Sequence, residues 1–521
     1  MCPTQRTGRA GRAGGTAYPV AVSATPVVQV DLIAALRADL GAAGFTVDGV
    51  AQALGPVAVA ALRREQGLPA ELVTRGRTDP LALLIRLFTL GLPLTARELD
   101  GVLPSLGADG ARRLGLMVAP GDDVAAACDL RPHADETHEW WVASDLSEIE
   151  TGRPLMEGHV LGISAASMTL AAWTIRSDVG RALDLGTGCG VQALHLAGHC
   201  RSLVATDLSQ RALDYARFNA ALAGTDLDLR HGDLLGPVAG ERFGLVVSNP
   251  PFVITPRVEG VPLFDYRDGG LVGDGVVERL VRTVGDHLEP GGVAQFLGNW
   301  EILAGASWRD RWHDWLTGTG LDAWVIQREV QDPAEYAELW SRDGGSRAGV
   351  EGFELLYAAW LADFAARDVA QIGFGVITLQ RPLTARDPWV DLVEVRGSVA
   401  PAMGVSVQAG LAARTWLAEA GQDGLLDTAW RCAADVTEER HSRPGAEDPG
   451  VILIRQGGGL RRCVRADTVT AALVSVCDGG LTARQALVAI AALLELDPVE
   501  VMASALPSLR DLVADGLLVR D

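Results

Sequence analysis

Four short stretches place polar groups where chemistry can be done: ALDLGTGCG (182–190), ATDLS (205–209), HGDLL (231–235) and SNPPFVITP (248–256). In the last, the side-chain amide of Asn249, two prolines and the ring of Phe252 follow directly on the apolar run 243–247. Proline fixes φ and removes a backbone donor, so the chain leaves that run along a rigid path. In the first stretch, Gly186, Gly188 and Gly190 let the backbone turn tightly and approach a ligand, whose polar groups then meet N–H groups at a helix start. Asp207, 23 residues after Asp184, can accept hydrogen bonds from both hydroxyls of a ribose. Ser209 is itself a good helix cap, which leaves Asp207 for that role. Asp233 can accept from an adenine amino group, and the Leu234 N–H can serve a ring nitrogen.

Nucleotide-binding folds of several kinds use such a glycine loop. A dinucleotide fingerprint needs glycine at position 191, where Val191 stands, and no GxxxxGK[ST] follows, which argues against an NAD-linked oxidoreductase.

The elements that must hold these residues alternate in strand and helix character from 179 to 380, a pattern that calls for a mostly parallel sheet with helices on both faces. Strands are predicted at 182–185, 203–206, 227–230, 245–248, 293–297, 324–329 and 373–379, and a helix over 209–223.

The motifs DLGTGCG, TDLS, GDLL and SNPPF, in that order and spacing, resemble those of class I S-adenosylmethionine-dependent methyltransferases over roughly 155–380. The resemblance implies an α/β fold, a seven-stranded doubly wound Rossmann-like sheet. It also implies that Asp184 and the glycine loop, with Thr187, hold the amino-acid part of S-adenosyl-L-methionine, that Asp207 with Leu208 holds the ribose, and that Asp233 with Leu234 holds the adenine. Asn249 borders the same pocket. SNPPF resembles the [DN]PP[FYW] motif of enzymes that methylate planar amino groups. Such an amine is a poor nucleophile because its lone pair is delocalised. The Asn249 side-chain oxygen and the Pro250 carbonyl can accept both amine hydrogens and turn the lone pair towards the methyl, while Phe252 stacks on the flat group. No general base is implied, since the methyl donor is already a sulfonium cation.

Around this core, Ser164, Ser167 and Thr169 either line the cofactor pocket or cap a helix. Arg267, in YRDGG, either meets an anionic substrate or lies in a solvated turn. A two-helix insertion between the sixth and seventh strands packs through Tyr336, Trp340, Tyr357 and Trp360. Arg455, Arg461, Arg462 and Arg465 either contact phosphate or form a solvated face.

The flanks read as winged-helix-like domains. Pro80 after Asp79 starts a helix ended by Gly91, Thr95 and Glu98 form a capping box, and 124–144 reads as a hairpin. Near the other end Thr482 and Gln485 form a second capping box, LTAR at 481–484 echoes LTAR at 94–97, and a helix follows Asp497 and Pro498. The expected organisation is a disordered tail (1–26), an N-terminal helical domain (27–150), the methyltransferase domain (151–382) and a C-terminal mainly helical domain (389–521). Linkers are expected at 381–388 and 437–450.

At 521 residues the chain is too long for one core, since domains average about 150 residues. With 48% hydrophobic and 21% charged residues it has a soluble composition, and no stretch offers the ~18 uncharged apolar residues of a membrane span. Seven cysteines without CxxC pairs or histidine partners at zinc spacing suggest reduced thiols, no metal centre and a cytoplasmic location. A net charge of −21 opposes a surface that grips nucleic acid throughout, though a locally basic cleft is compatible with it. The expected activity is N-methylation of a planar amino group, first of a base in ribosomal or transfer RNA, then of a protein glutamine as in release factors, then of DNA adenine. A non-catalytic module that senses the cofactor is the rival, opposed by the intact NPPF.

Overall fold

The computed structural model describes residues 24–118, 123–151, 155–258, 261, 263–343, 352–446 and 448–520. Most of the tail expected at 1–26 lies outside the described residues. The chain forms two compact units, Met1–Gly152 and Arg153–Asp521.

In the first unit a helix begins at Pro80 behind the Asp79 cap, and its last turn widens to i→i+5 bonding over Ile85–Thr89. A short strand Leu94–Thr95 then runs into the helix Ala96–Val102, with Thr95 and Glu98 in the predicted capping box. The segment predicted as one hairpin is divided. Asp123–Ala126 enters an antiparallel sheet between Leu94–Thr95 and Met117–Val118, and the hairpin proper pairs Asp129–Ala134 with Glu139–Ser144.

The second unit is built on one large sheet. Its strands are β1 (Val179–Leu185), β2 (Cys200–Asp207), β3 (Asp228–His231), β4 (Phe243–Ser248), β5 (Leu288–Leu303), β6 (Asp322–Gln331), β7 (Val369–Gln380) and β8 (Val390–Glu394). Their order is β8-β6-β7-β5-β4-β1-β2-β3, and only β7 runs antiparallel to its neighbours. All seven predicted strands are present, in a Rossmann-like arrangement.

The count of seven is corrected to eight, because β8 pairs in parallel with β6, from Ala323 against Val390 to Gln327 against Glu394. The sheet therefore continues past residue 382, where the catalytic domain was expected to end.

Helices cover both faces: α1 (Ala165–Trp173), α2 (Val191–Leu196), α3 (Gln210–Ala223), α4 (Gly275–Thr283), α5 (Trp308–Leu316), α6 (Pro333–Asp343), α7 (Phe353–Ala366) and α8 (Gly404–Asp427). Strand periodicity divides the core, as β6 shows. Ala323 and Val325 pack with Val277 and Leu280 of α4 and Trp312 and Trp315 of α5. Trp324 and Ile326 face Leu170 of α1 and Val407 and Leu411 of α8.

Beyond α8 a small sheet of order Asp478–Thr482, Ala429–Cys432, Leu518–Val519 packs with the helices Ala483–Leu493 and Pro498–Ala514. The Thr482–Gln485 capping box and the Asp497 cap form as predicted. The run 437–450 is not simply a linker. Val436–His441 is a strand paired with Val451–Gln456, whose apolar run 451–454 supplies a partner for it. Among the described residues no single helix is long and apolar enough to cross a membrane.

Candidate active site

The register of the sheet brings the four motifs to one edge. Leu185 lies opposite Thr206 on one side and Ser248 on the other, and Asp207 lies opposite His231. The glycine loop, Asp207, the turn 232–235 and Asn249 therefore leave parallel strands at the same level. With strands spaced about 4.8 Å apart, they span roughly 15 Å along that edge.

Asp184, next to last in β1, is fully buried. Its Oδ2 accepts from Thr187 Oγ1 at 2.6 Å and from the Ala193 N–H at 3.0 Å, while Oδ1 is buried without a hydrogen-bond partner. Burial pushes this carboxyl up to about 7 despite those two bonds. The loop N–H groups of Gly186 and Thr187 both donate to the Thr206 carbonyl at 2.9 Å, tying the turn to β2. Gly190 has φ +87° and a Cβ there would stand 3.3 Å from Ala216 of α3, so only glycine lets loop and helix approach so closely. At Gly186 and Gly188 a Cβ would meet no atom within 4 Å, which leaves the outer side of the loop accessible.

Asp207 accepts from the Gly188 N–H and the Ser209 N–H, each at 2.8 Å. Ser209 caps α3 by accepting from the Ala212 N–H, so helix capping leaves Asp207 aside, as expected. Burial raises its carboxyl above the usual range. Leu208 beside it is 66% exposed, an apolar side chain held at the cleft edge. Leu234 adopts φ +42°, a conformation costly for a branched residue and retained where the surroundings impose it. Asp233 is exposed and pairs with Arg279 of α4 at 3.1 Å.

Asn249 follows β4. Its Oδ1 is buried with no hydrogen-bond partner, whereas the preceding Ser248 Oγ donates to the Leu185 carbonyl at 2.7 Å. Pro250 is buried and Phe252 half-buried. Past the prolines the loop is clamped, since Phe252 bridges Asp268 and the Val253 N–H donates to the Arg267 carbonyl at 2.9 Å.

Several expectations resolve against ligand contact. Ser164 caps α1 in a capping box with Ser167, and Thr169 Oγ1 donates to the Ala165 carbonyl, so these three serve the helix. Arg267 is neither substrate-facing nor solvated: it is 5% exposed, and its Nη1 donates to the Trp340 carbonyl and to Asp343, both at 2.8 Å. Arg455 pairs with Glu439 and Arg462 with Asp515, and Arg461 donates to Ser398, which leaves Arg465 exposed. Tyr336 and Trp360 are buried as expected, with Trp340 and Tyr357 partly buried in the same cluster.

Sequence reasoning missed Asn299, Tyr336 as a polar participant, and Asp265 with Glu157. The two carboxylates stand close enough to raise the Asp265 carboxyl, after burial, and Asp265 in turn raises Asp207. The polar residues Gln295, Asn299 and Glu301 set among the apolar residues of β5 were the available signal for Asn299.

Residues 163–302 match the methyltransferase small domain, and 42–127 and 408–520 match two different domains of unknown function. A ribosomal protein uL3 glutamine methyltransferase of Bradyrhizobium diazoefficiens is 36% identical over 125 residues, 22% of this chain and 39% of that protein. Release factor glutamine methyltransferases of Deinococcus radiodurans and Xylella fastidiosa are 41% and 35% identical, over 22% and 33% of this chain and 45% and 61% of those proteins. The chain thus spans less than two thirds of each of these curated relatives. A solved T. thermophilus 16S rRNA N2 methyltransferase is 15% identical, with a TM-score of 0.26, over 50% of this chain and 67% of that one.

Proposed function

We propose that this chain, whose residues 163–302 form a class I S-adenosylmethionine-dependent methyltransferase domain, is a protein N-methyltransferase acting on the side-chain amide of glutamine. The observation that carries the activity is the Asn249 Oδ1, buried and without a partner where β4 leaves the sheet beside the glycine loop. A buried oxygen left unsatisfied is costly, and a ligand that donates to it recovers that cost.

The residues present fit the cofactor. The unpartnered Asp184 Oδ1, the accessible outer side of Gly186 and Gly188, and the Asp207 carboxylate suit an amino acid joined to a ribose. When bound, S-adenosylmethionine supplies a methyl group on a sulfonium, so the acceptor need not be deprotonated first. Asn249 Oδ1 and the Pro250 carbonyl accept the two amide hydrogens and hold the nitrogen lone pair towards the cofactor. With the methyl that the cofactor would supply, that pair would form the new bond at the expense of the methyl–sulfur bond, and one amide proton would leave to water. Phe252 covers the planar amide.

Glutamine is placed ahead of an RNA base, reversing the order of expectation. The relatives over this region are named for glutamine methylation. The arginines weighed as phosphate contacts are largely engaged, and the −21 charge repels an RNA backbone. The flanks, read as winged-helix-type modules, are proposed to choose the protein acceptor.

The test incubates purified protein with methyl-tritiated cofactor and, separately, protein extract, total RNA and DNA from cells lacking the enzyme. Label should enter protein and fail to do so with Asn249→Ala. Label in RNA would restore the base as acceptor. Cofactor binding without label in any fraction would favour a sensing module.

A further inference from the structure

The two helices inserted between β6 and β7 hold the acceptor loop, which follows β4 and carries Asn249, Pro250 and Phe252, at its outgoing and its returning segment. From α6 comes Tyr336, fully buried, its ring packed against Trp360, Phe364 and Phe374. Its hydroxyl oxygen accepts from the Ile254 N–H at 3.0 Å and from Asn299 Nδ2 at 2.7 Å. Ile254 lies two residues beyond Phe252, and Val253 and Ile254 belong to the same apolar cluster as Tyr336. On the returning segment, Arg267 holds Trp340 and Asp343, and the Tyr266 hydroxyl donates to Asp343 at 2.7 Å. The guanidinium lies 4.5 Å from the Phe264 ring centre and 5.9 Å from that of Trp340.

We propose that this insertion is the positioning device of the acceptor loop, with Tyr336 as its positioning residue. The Tyr336 hydroxyl fixes the path of the chain just past Phe252, and so the places of Asn249 Oδ1, the Pro250 carbonyl and the ring. This rests on the roles proposed above for those three residues. Packing alone does not call for the hydroxyl, because phenylalanine fills the same space with no polar atom to satisfy. What the oxygen adds is an acceptor for a backbone N–H that is otherwise buried without one, and losing it forces that N–H to move or stay unpaired. Small displacements of reacting groups reduce rate far more than binding.

The test is Tyr336→Phe, which keeps the ring. Hydrogen exchange over 250–258 in the intact protein reads the anchoring without any acceptor. It should rise about tenfold, because the Ile254 N–H loses its acceptor, while Asn299 Nδ2 loses its partner as well. Tyr357→Phe, on the neighbouring helix, should leave it unchanged. With the acceptor fraction that wild type labels, kcat should fall roughly 10- to 100-fold while cofactor Kd and acceptor KM stay put. Faster exchange with slower transfer supports the proposal. Unchanged exchange overturns it, as does faster exchange with wild-type kcat. Should wild type label no fraction, the proposed function falls, and exchange alone decides whether Tyr336 anchors the loop.

Discussion

Cofactor affinity should depend on pH through Asp184. The carboxyl is fully buried and titrates at about 7 because burial outweighs the bonds from Thr187 and Ala193. In an unfolded chain it would titrate at about 3.9, and each unit is worth about 1.4 kcal/mol, so the ligand-free fold disfavours the ionised form by roughly 4 kcal/mol. With the higher value in the folded state, the stability contribution is fully present below about pH 4 and is lost as pH rises through about 7. A bound cation reverses this preference, because positive charge favours the carboxylate. S-adenosylmethionine carries such charge on its ammonium and sulfonium groups. Binding should therefore expel a proton, and affinity should weaken about tenfold from about pH 8 to about pH 6, the ratio of ionised fractions for a group at about 7. Calorimetry in buffers of different ionisation enthalpy reads both the Kd and the proton released. Asp207 is also raised by burial and contributes its own slope, so the quantity to read is wild type minus Asp184→Asn. A flat wild-type Kd over that range, or an unchanged slope in Asp184→Asn, would refute the reasoning.

Three further outcomes are expected. Gly190→Ala puts a methyl where φ is +87° and Ala216 stands 3.3 Å away, and should cost about 1–3 kcal/mol, read as a lower Tm with weaker cofactor binding. Arg414 is 5% exposed and joins α8 to Asp391 of β8 at 2.7 Å and to Asp515 at 3.1 Å, so Arg414→Met leaves two carboxylates without it. That should cost about 3 kcal/mol and appear as faster hydrogen exchange in Pro498–Ala514. The Cys477 thiol is pushed up to about 12, mainly by burial, whereas Cys463 is exposed; iodoacetamide at neutral pH should alkylate Cys463 before Cys477, as peptide mass spectrometry would show.

How far the fold was legible depended on whether its cause was local. Strand alternation and the two capping boxes are set by residues within a few positions of each other, and they form as predicted. The LTAR echo shows where such reading stops. At 94–97 and 481–484 the tetrapeptide sits at the same kind of junction, a strand ending in a threonine that caps the next helix. A third copy at 383–386 starts no helix. There Pro388 biases Asp387 away from helical backbone, and Arg386 instead pairs with Asp322. Likewise β8 is five residues with two acids and little apolar pattern, and it is a strand only because β6 offers an edge. In the site, the glycines and carboxylates were legible as local strand-end patterns, and the register brings them to one edge of the sheet. Arg267 was not, because its partners Trp340 and Asp343 lie more than seventy residues away and only the fold brings them together.

The most direct measurement is tandem mass spectrometry of the protein acceptor after reaction with wild type and with Asn249→Ala. The account predicts one added methyl on the side-chain amide nitrogen of a glutamine with wild type, and unmodified glutamine with the variant although it still binds the cofactor. Methylation on any other kind of atom, or equal modification by Asn249→Ala, would contradict it.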